Sequence, residues 1–434
     1  MSTSIASVPV RSAAQPATRP ASVRRDGAVD LVRAVCLTVV VGLHALMVGV
    51  SVGPHGPVLE NALEEWSFFP AVSWLVQVMP LFFVLGGFSA YGQWKRLKEA
   101  GAGYGDYLAG RLSRLLAPAL AAIAAAAALL SALALAGVPA GEIAVAGFRL
   151  SQPLWFLGVY VLCTAAVPLL VEAHDRRPVA SIAALAALAL TVDAVRGATG
   201  VAAVGFANLL FVWLLVQQLG FWLGSGLLDA LARRALSGLA AAALVLAGAG
   251  AALGLWSADM YANLNPPATA LALLGTAQLA VFVLLRPRLR TAMARPLLAS
   301  AVGAVNRRAM TVYAWHMLAL IPLAGLLLVS GLPLPAPLSA GWWASRPLWL
   351  AVVALAVVGL VAVAGRAERG SAPSASRAAV SVPRAAAAVA CGAGGVLIVL
   401  LAGSAIAGWV TGAALVFAAV RIPRLDRVPE ALSR

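Results

Sequence analysis

The sequence predicts an all-α, polytopic transmembrane bundle, with about ten core spans and a C-terminal apolar segment that brings the total to eleven or twelve. Three observations predict it. Of 434 residues, 62% are hydrophobic and only 11% are charged, whereas a soluble domain carries roughly a quarter charged residues. Apolar runs of about 18–25 residues recur along nearly the whole chain, the length that crosses a ~30 Å hydrocarbon core. Basic residues fall between those runs, in alternate loops, as the positive-inside rule requires. The chain therefore reads as one integral membrane unit rather than several soluble domains. The net charge of +15 does not point to nucleic acid, because the basic residues lie beside a membrane surface and not on one aromatic-studded face. Membrane lipids are the expected surroundings, and no nucleic-acid partner is expected. Nearly all the basic residues are Arg, with Lys only at 95 and 98. Together with the Ala-rich spans, this suggests a GC-rich bacterial genome and a bacterial cell membrane.

Residues 1–25 are Ser, Ala, Pro and Arg without an apolar period, and predict a disordered cytoplasmic tail. The first apolar run is longer than a signal-peptide core and contains Arg33 and His44, so it reads as a retained span. A membrane domain is expected over 26–366, with spans near 31–53, 69–92, 115–137, 153–172, 179–195, 206–227, 236–256, 267–285, 310–330 and 347–365. A cytoplasmic linker follows at 367–384, then the further apolar stretch 385–420 and a basic tail, 421–434. With the N-terminus inside, 23 basic residues fall in cytoplasmic segments against three outside, Arg149, Arg196 and Arg346. The first external loop instead carries Glu60, Glu64 and Glu65. The stretch 385–420 is long for one span and short for two. A tight hairpin would keep Arg421, Arg424 and Arg427 in the cytoplasm and a single long helix would not; both remain open.

Cys36, Cys163 and Cys391 are odd in number and lie in apolar segments, so no disulfide framework is implied. No CxxC pattern occurs, and no metal is expected.

Ionisable groups inside a bilayer are costly, so each one is a functional hypothesis. The first span, RDGAVDLVRAVCLTVVVGLHAL at 25–46, holds the best case. Asp30 and Arg33 share a helix face near the cytoplasmic end. His44 lies eleven residues after Arg33, three helical turns up the same face and about 16 Å along the axis. A basic group at the inner surface and an imidazole near the midplane suit a catalytic track leading inward. A hydrogen-bonded core histidine and a snorkelling arginine would account for the same residues.

Gly86 and Gly87 in MPLFFVLGGFSAYG (79–92) allow close approach of a neighbouring helix or of a ligand. Arg111 and Arg114, in RLSRLLAP (111–118), share a face where the third span starts. Paired guanidinium groups there can grip phosphates, although ordinary positive-inside charge gives the same pattern. Asn and Pro interrupt the apolar pattern in ANLNPPAT (262–269), at the external end of span eight. VNRRAMTVYAWHML (305–318) places Tyr313, Trp315 and His316 within two turns of the inner end of span nine. Tyr and Trp are common interfacial anchors, but His316 inside a span is not, and a structural hydrogen bond and a binding role both fit it. His55 and His174 read as incidental.

In this order, these segments resemble the acyltransferase-3 family of integral membrane acyltransferases over about residues 24–365. The markers are Arg33 with His44, the GGF at 86–88 that includes Phe88, the R-x-x-R of Arg111 and Arg114, PLWFLGVY at 153–160, and VYAWHM at 312–317. The resemblance implies transfer of an acyl group, often acetyl, from cytoplasmic acyl-CoA to a hydroxyl-bearing acceptor handled at the outer side of the membrane. Glycans, lipid-linked sugars and small molecules are the acceptor classes it suggests. Relatives that carry an extracellular SGNH-hydrolase domain have one after the membrane part; here such a partner is expected to be separate or unnecessary.

In that scheme His44 acts as general base or accepts the acyl group, and Asp30 holds Arg33. Arg33, Arg111 and Arg114 recognise the CoA phosphates, and Gly86 and Gly87 let the donor's pantetheine arm pass close to backbone. Phe88, Tyr313 and His316 complete the cofactor-binding candidates. A transporter or flippase for a polar or lipid-linked solute is the alternative, and it predicts broken spans in matched halves. No internal repeat is visible. A non-catalytic scaffold or sensor would leave His44 and the arginine pair without a purpose.

Overall fold

The computed structural model describes residues 26–53, 56–369 and 379–424. The expectations for the tail before Asp26, for His55, for the middle of the 367–384 linker and for the chain beyond residue 424 fall outside those residues.

Helix α1 (Gly27–Met47) begins at Asp26, whose side chain accepts the Ala28 N–H as an N-cap. It stops six residues short of the predicted 31–53 span. The next residues, VGVSVG, alternate a β-branched residue with Gly or Ser, a pattern poor for helix and suited to an extended chain. They form β1 (Val48–Gly53), paired antiparallel with β2 (Gly56–Asn61) from Val48 opposite Asn61 to Gly53 opposite Gly56.

The second crossing is broken into α2 (Phe69–Val76) and α3 (Met79–Glu99). Pro80 stands in the first turn of α3, where it lacks only a hydrogen bond the helix start does not make. The break is sealed by Gln77: its side-chain oxygen accepts the Met79 N–H at 3.2 Å, and the Gln278 amide donates to its carbonyl at 2.8 Å. The chain continues through α4 (Tyr104–Leu135), α5 (Ala140–Ser151), α6 (Leu154–Arg176), α7 (Pro178–Thr199), α8 (Asn208–Gly224) and α9 (Arg233–Ala252). It then forms α10 (Ala270–Ala292), α11 (Pro296–Arg307), α12 (Ala309–Val329), α13 (Ala340–Arg369), α14 (Val382–Ala402) and α15 (Ile406–Arg421).

Among the described residues, eleven helical segments are long and apolar enough to cross a membrane, and Ile406–Arg421 is a shorter apolar helix. The chain is thus a multi-pass, all-α membrane protein. Large apolar side chains such as Leu355 and Leu401, 73% and 78% exposed, face outward where lipid supplies the solvent. The 385–420 stretch is two helices, not one. Glycines let them meet: a Cβ on Gly395 would lie 2.9 Å from the Gly412 carbonyl, and one on Gly412 would lie 2.8 Å from the Gly395 carbonyl. This hairpin packs on α4 and α6. The segment before it is fastened to the start of α4 by Asp106, which accepts the Val380 N–H at 2.9 Å.

Helices α1, α3, α6, α4 and α12 form a ring in which each contacts the next. The ring encloses the feature on which the chemistry depends.

Candidate active site

Inside the ring lies a cavity of about 1710 Å³, larger than the roughly 300–1,000 Å³ of most small-molecule sites. It follows the predicted face of α1 from Asp26 to His44, eighteen residues or roughly 27 Å at helical rise. Tyr261 and Leu264, from the loop between α9 and α10, reach its far end.

Of the residues predicted from sequence, Asp30, Arg33, His44, Phe88, Arg111, Arg114 and Tyr313 share this one wall. They come from four helices, and the 11-residue spacing on α1 places Arg33 and His44 on one face as expected. Arg111 is held in place: it donates to the Gln93 side-chain oxygen at 3.0 Å and to the Tyr160 hydroxyl at 3.4 Å. Arg114, one turn later, is exposed.

Asp30 does not hold Arg33. Among the described residues the two form no ion pair. The Arg33 guanidinium lies instead 6.0 Å from the centroid of the Phe82 ring, an attraction that the ring's negative face supplies. The Asp30 backbone carbonyl accepts the Asn306 amide at 2.7 Å, which ties α1 to α11.

Gly86 and Gly87 are not on the wall. A Cβ on Gly87 would run into the Gln217 carbonyl, and one on Gly220 of α8 would run into the Val84 carbonyl. The two glycines form a close helix crossing of α3 on α8, and no surface is left for a ligand arm. Gly86 instead makes room for Tyr160, whose hydroxyl would lie 3.1 Å from a Cβ there. Its contribution to the cavity is to let Tyr160 stand where it meets Arg111.

His316 is not on the wall either. It is 1% exposed and lies behind His44. His44 Nδ1 and His316 Nε2 are 2.9 Å apart, and the rings meet edge to edge with centroids 5.1 Å apart and planes 14° from parallel. His316 Nδ1 lies 2.7 Å from the Tyr313 carbonyl oxygen. A carbonyl only accepts, so His316 Nδ1 carries the proton and its Nε2 is the acceptor. His44 Nδ1 must then be the donor to His316, which leaves His44 Nε2 with its lone pair. This chain of two imidazoles and one carbonyl selects the tautomer of the histidine that lines the cavity. Tyr313 is fixed in turn, its hydroxyl donating to the Pro153 carbonyl at 2.7 Å.

The mouth holds groups the sequence reading did not single out. Arg286 and Arg290, one turn apart on α10, both grip Asp26, at 2.7 and 2.6 Å. Arg286 also lies 5.7 Å from the Phe88 ring centroid. Arg96 and Arg307 line the same region. The i,i+4 spacing of Arg286 and Arg290 was a readable signal of the same kind as Arg111 and Arg114. Their meeting with Asp26, 260 and 264 positions away in sequence, was not.

Burial pushes the Asp26 carboxyl up, but hydrogen bonds from Arg290 and Arg286 outweigh it and hold the pKa at about 2, below the ordinary 3.8. A depressed carboxylate pKa contributes stability that is complete above the unfolded value and is lost as pH falls through the folded one. The melting-temperature gap between wild type and Asp26→Asn, measured in detergent, is therefore expected to stay constant from about pH 8 to pH 4 and to shrink toward pH 2. A gap that closed already near pH 6 would contradict this. At the far end, burial and the Asp259 charge raise the Tyr261 pKa, so its hydroxyl stays protonated and donates to the Val76 carbonyl at 3.4 Å.

His174, read as incidental, is buried in the last turn of α6, with Nε2 3.2 Å from the Ser225 hydroxyl. It does not line the cavity.

No curated protein and no solved structure matches the chain. The sequence profile of a family described as an acyltransferase domain matches residues 26–365. That stretch is most of the chain and runs from the N-cap of α1 through nearly all of α13, so it contains every wall of the cavity. The chain belongs to the acyltransferase-3 family and is a membrane acyltransferase.

Proposed function

We propose that the protein transfers an acyl group, acetyl in the simplest case, from acyl-CoA to a hydroxyl of a membrane-associated or extracytoplasmic acceptor, with His44 as general base. The observation that carries this reading is the fixed tautomer of His44 on the wall of a cavity whose mouth is lined with arginines. The acceptor hydroxyl gives its proton to His44 Nε2 as its oxygen attacks the thioester carbonyl. The carbon–sulfur bond then breaks, and the departing thiolate takes that proton back from the imidazolium. While His44 is charged, its Nδ1–H bond to His316 strengthens, because a charged donor makes a stronger bond than a neutral one.

Arg33, Arg111 and Arg114, joined by Arg96 and Arg307, suit the phosphates of the nucleotide end of CoA. This mouth faces the cytoplasm in our reading, which follows the basic loops of a bacterial cell-membrane protein with its N-terminus inside. Replacing Arg111 or Arg114 by alanine is expected to raise the KM for acyl-CoA by about 10–100-fold, the loss of a charge-assisted hydrogen bond of roughly 1.5–3 kcal/mol. The kcat should change far less, and rising salt should weaken the wild type toward the variants. An unchanged KM would remove these arginines from donor binding.

The test of the reading is inside-out vesicles supplied with acyl-labelled acetyl-CoA and native lipids and glycans. Label should leave CoA with the wild type and remain on CoA with His44→Ala at equal expression. If acyl-CoA does not bind the wild type at all, the reading falls, and a different acyl donor takes its place.

A further inference from the structure

The cavity is divided by polarity along its length. On α1 its lining runs Asp26, Asp30 and Arg33, then Leu37, Val40 and Leu43 beside His44. On α3, which runs the opposite way, Met79 and Phe82 come before Ser89, Gly92 and Arg96. Every arginine and aspartate of the wall lies in the first half, with Arg33 and Arg111 at the boundary, where they meet Phe82 and Tyr160. The second half, around His44, is aliphatic and aromatic, and is completed by Trp155 and Phe156 of α6.

Two of the three hydroxyls in that half already donate to backbone carbonyls. Tyr313 donates to the Pro153 carbonyl and Tyr261 to the Val76 carbonyl, while Tyr160 accepts from Arg111. Beyond the His44 ring, the Trp155 indole N–H, the Tyr160 O–H and a remaining lone pair on the tyrosines, this half offers a ligand few polar side-chain atoms.

From this we infer that the acceptor is a lipophilic alcohol: one hydroxyl, presented to His44, on a long-chain or polycyclic apolar body that fills the second half of the cavity. The inference rests on the acyl-transfer reading and names its acceptor class. A bare sugar would bring several hydroxyls against this wall and leave most of them without partners, a cost that sites for polar ligands avoid by placing a partner for each. An alcohol on an apolar body has one polar group to satisfy, and His44 Nε2 satisfies it. The remainder gains by leaving water. With its phosphates on the arginines, the donor must thread its pantetheine arm to His44 for the thioester to meet the acceptor hydroxyl. The space the two compete for therefore lies beyond that arm, and the donor takes it only by extending its acyl chain past His44. That competing occupant is separable by experiment.

Purified protein in nanodiscs is given acetyl-CoA with straight-chain primary alcohols from ethanol to dodecanol, or with methyl glucoside or a malto-oligosaccharide. A second series varies the donor from acetyl- to octanoyl-CoA at a fixed acceptor. The expected result is a kcat/KM that rises with alcohol length, by up to about fourfold per buried methylene, and that is lowest for the sugars. Val40→Phe should shorten the preferred alcohol and Val40→Ala lengthen it, with the donor series unmoved in both. Saturable binding of tritiated dodecanol and of tritiated methyl glucoside, above that of empty nanodiscs, is measured on the same samples.

Dodecanol binding that Val40→Phe weakens upholds the lipophilic site even where no acyl group is transferred. In that case it is the acyl-transfer reading that fails. Preference for a sugar overturns the inference. So does chain-length dependence that appears in the donor series and shifts there with the Val40 variants, and so does saturable binding of neither probe.

Discussion

His44→Ala is expected to lower kcat/KM for acyl transfer by about 10²–10⁴-fold, the usual contribution of a positioned general base, while acyl-CoA still binds at the mouth. The separation is expected because the imidazole and the arginines occupy different halves of one cavity. His316 supplies a second, graded measurement. It does not touch the cavity, so His316→Phe should leave the KM for acyl-CoA unchanged while lowering kcat. The phenyl ring gives His44 Nδ1–H no acceptor at the 2.9 Å position, and the ring is then free to turn or to change tautomer. His316→Gln, whose side-chain oxygen can accept that hydrogen bond, should recover part of the loss. A purely structural role for His316 would make both variants fail alike in stability, with kcat per folded molecule unchanged. Retention of full turnover by His44→Ala would remove the general-base assignment altogether.

Gly87→Leu is expected to prevent accumulation of folded protein. The added side chain meets the Gln217 backbone carbonyl on α8, and a carbonyl inside a helix cannot rotate aside as a flexible side chain can. Overpacking a buried contact commonly costs about 1–3 kcal/mol when side chains can yield, and here a whole helix would have to move. The crossing of α3 on α8 also fixes the position of Gly86 and through it Tyr160 and Arg111, so any protein that does fold should bind acyl-CoA poorly. Gly110→Ala is the control. Nothing lies within 4 Å of a Cβ at Gly110, and the change favours helix by up to roughly 1 kcal/mol. The measurement is the monodisperse fraction on size exclusion after a heating series. A Gly87→Leu protein as heat-stable as wild type would show that the two helices have more slack than this crossing allows.

The sequence by itself determined the class of the molecule, because bilayer thickness sets span length and the cost of charge in lipid leaves a compositional record that needs no tertiary contact. It also determined that Arg33 and His44 share a face of α1, since a helix converts spacing into direction. The count of spans past residue 384 was already constrained by charge, and the glycines of α14 and α15 show how the short hairpin closes.

Other assignments depended on partners distant in the chain. Nothing local says that His44 and His316, 272 positions apart, meet edge to edge, or that a carbonyl on the next turn selects the proton position of both. Gly86 and Gly87 could equally have faced a ligand or a helix, because a missing Cβ opens space without saying what enters it. α8 decided that question. Asp30 and Arg33 had the spacing of an ion pair, yet the Phe82 ring from another helix took the guanidinium. Where α1 ends had both a local and a paired cause: the VGVSVG residues are poor helix formers, and β2 offered their backbone a partner. A single helix records the direction in which each side chain projects, while what meets that side chain is settled only when the ring of five helices closes.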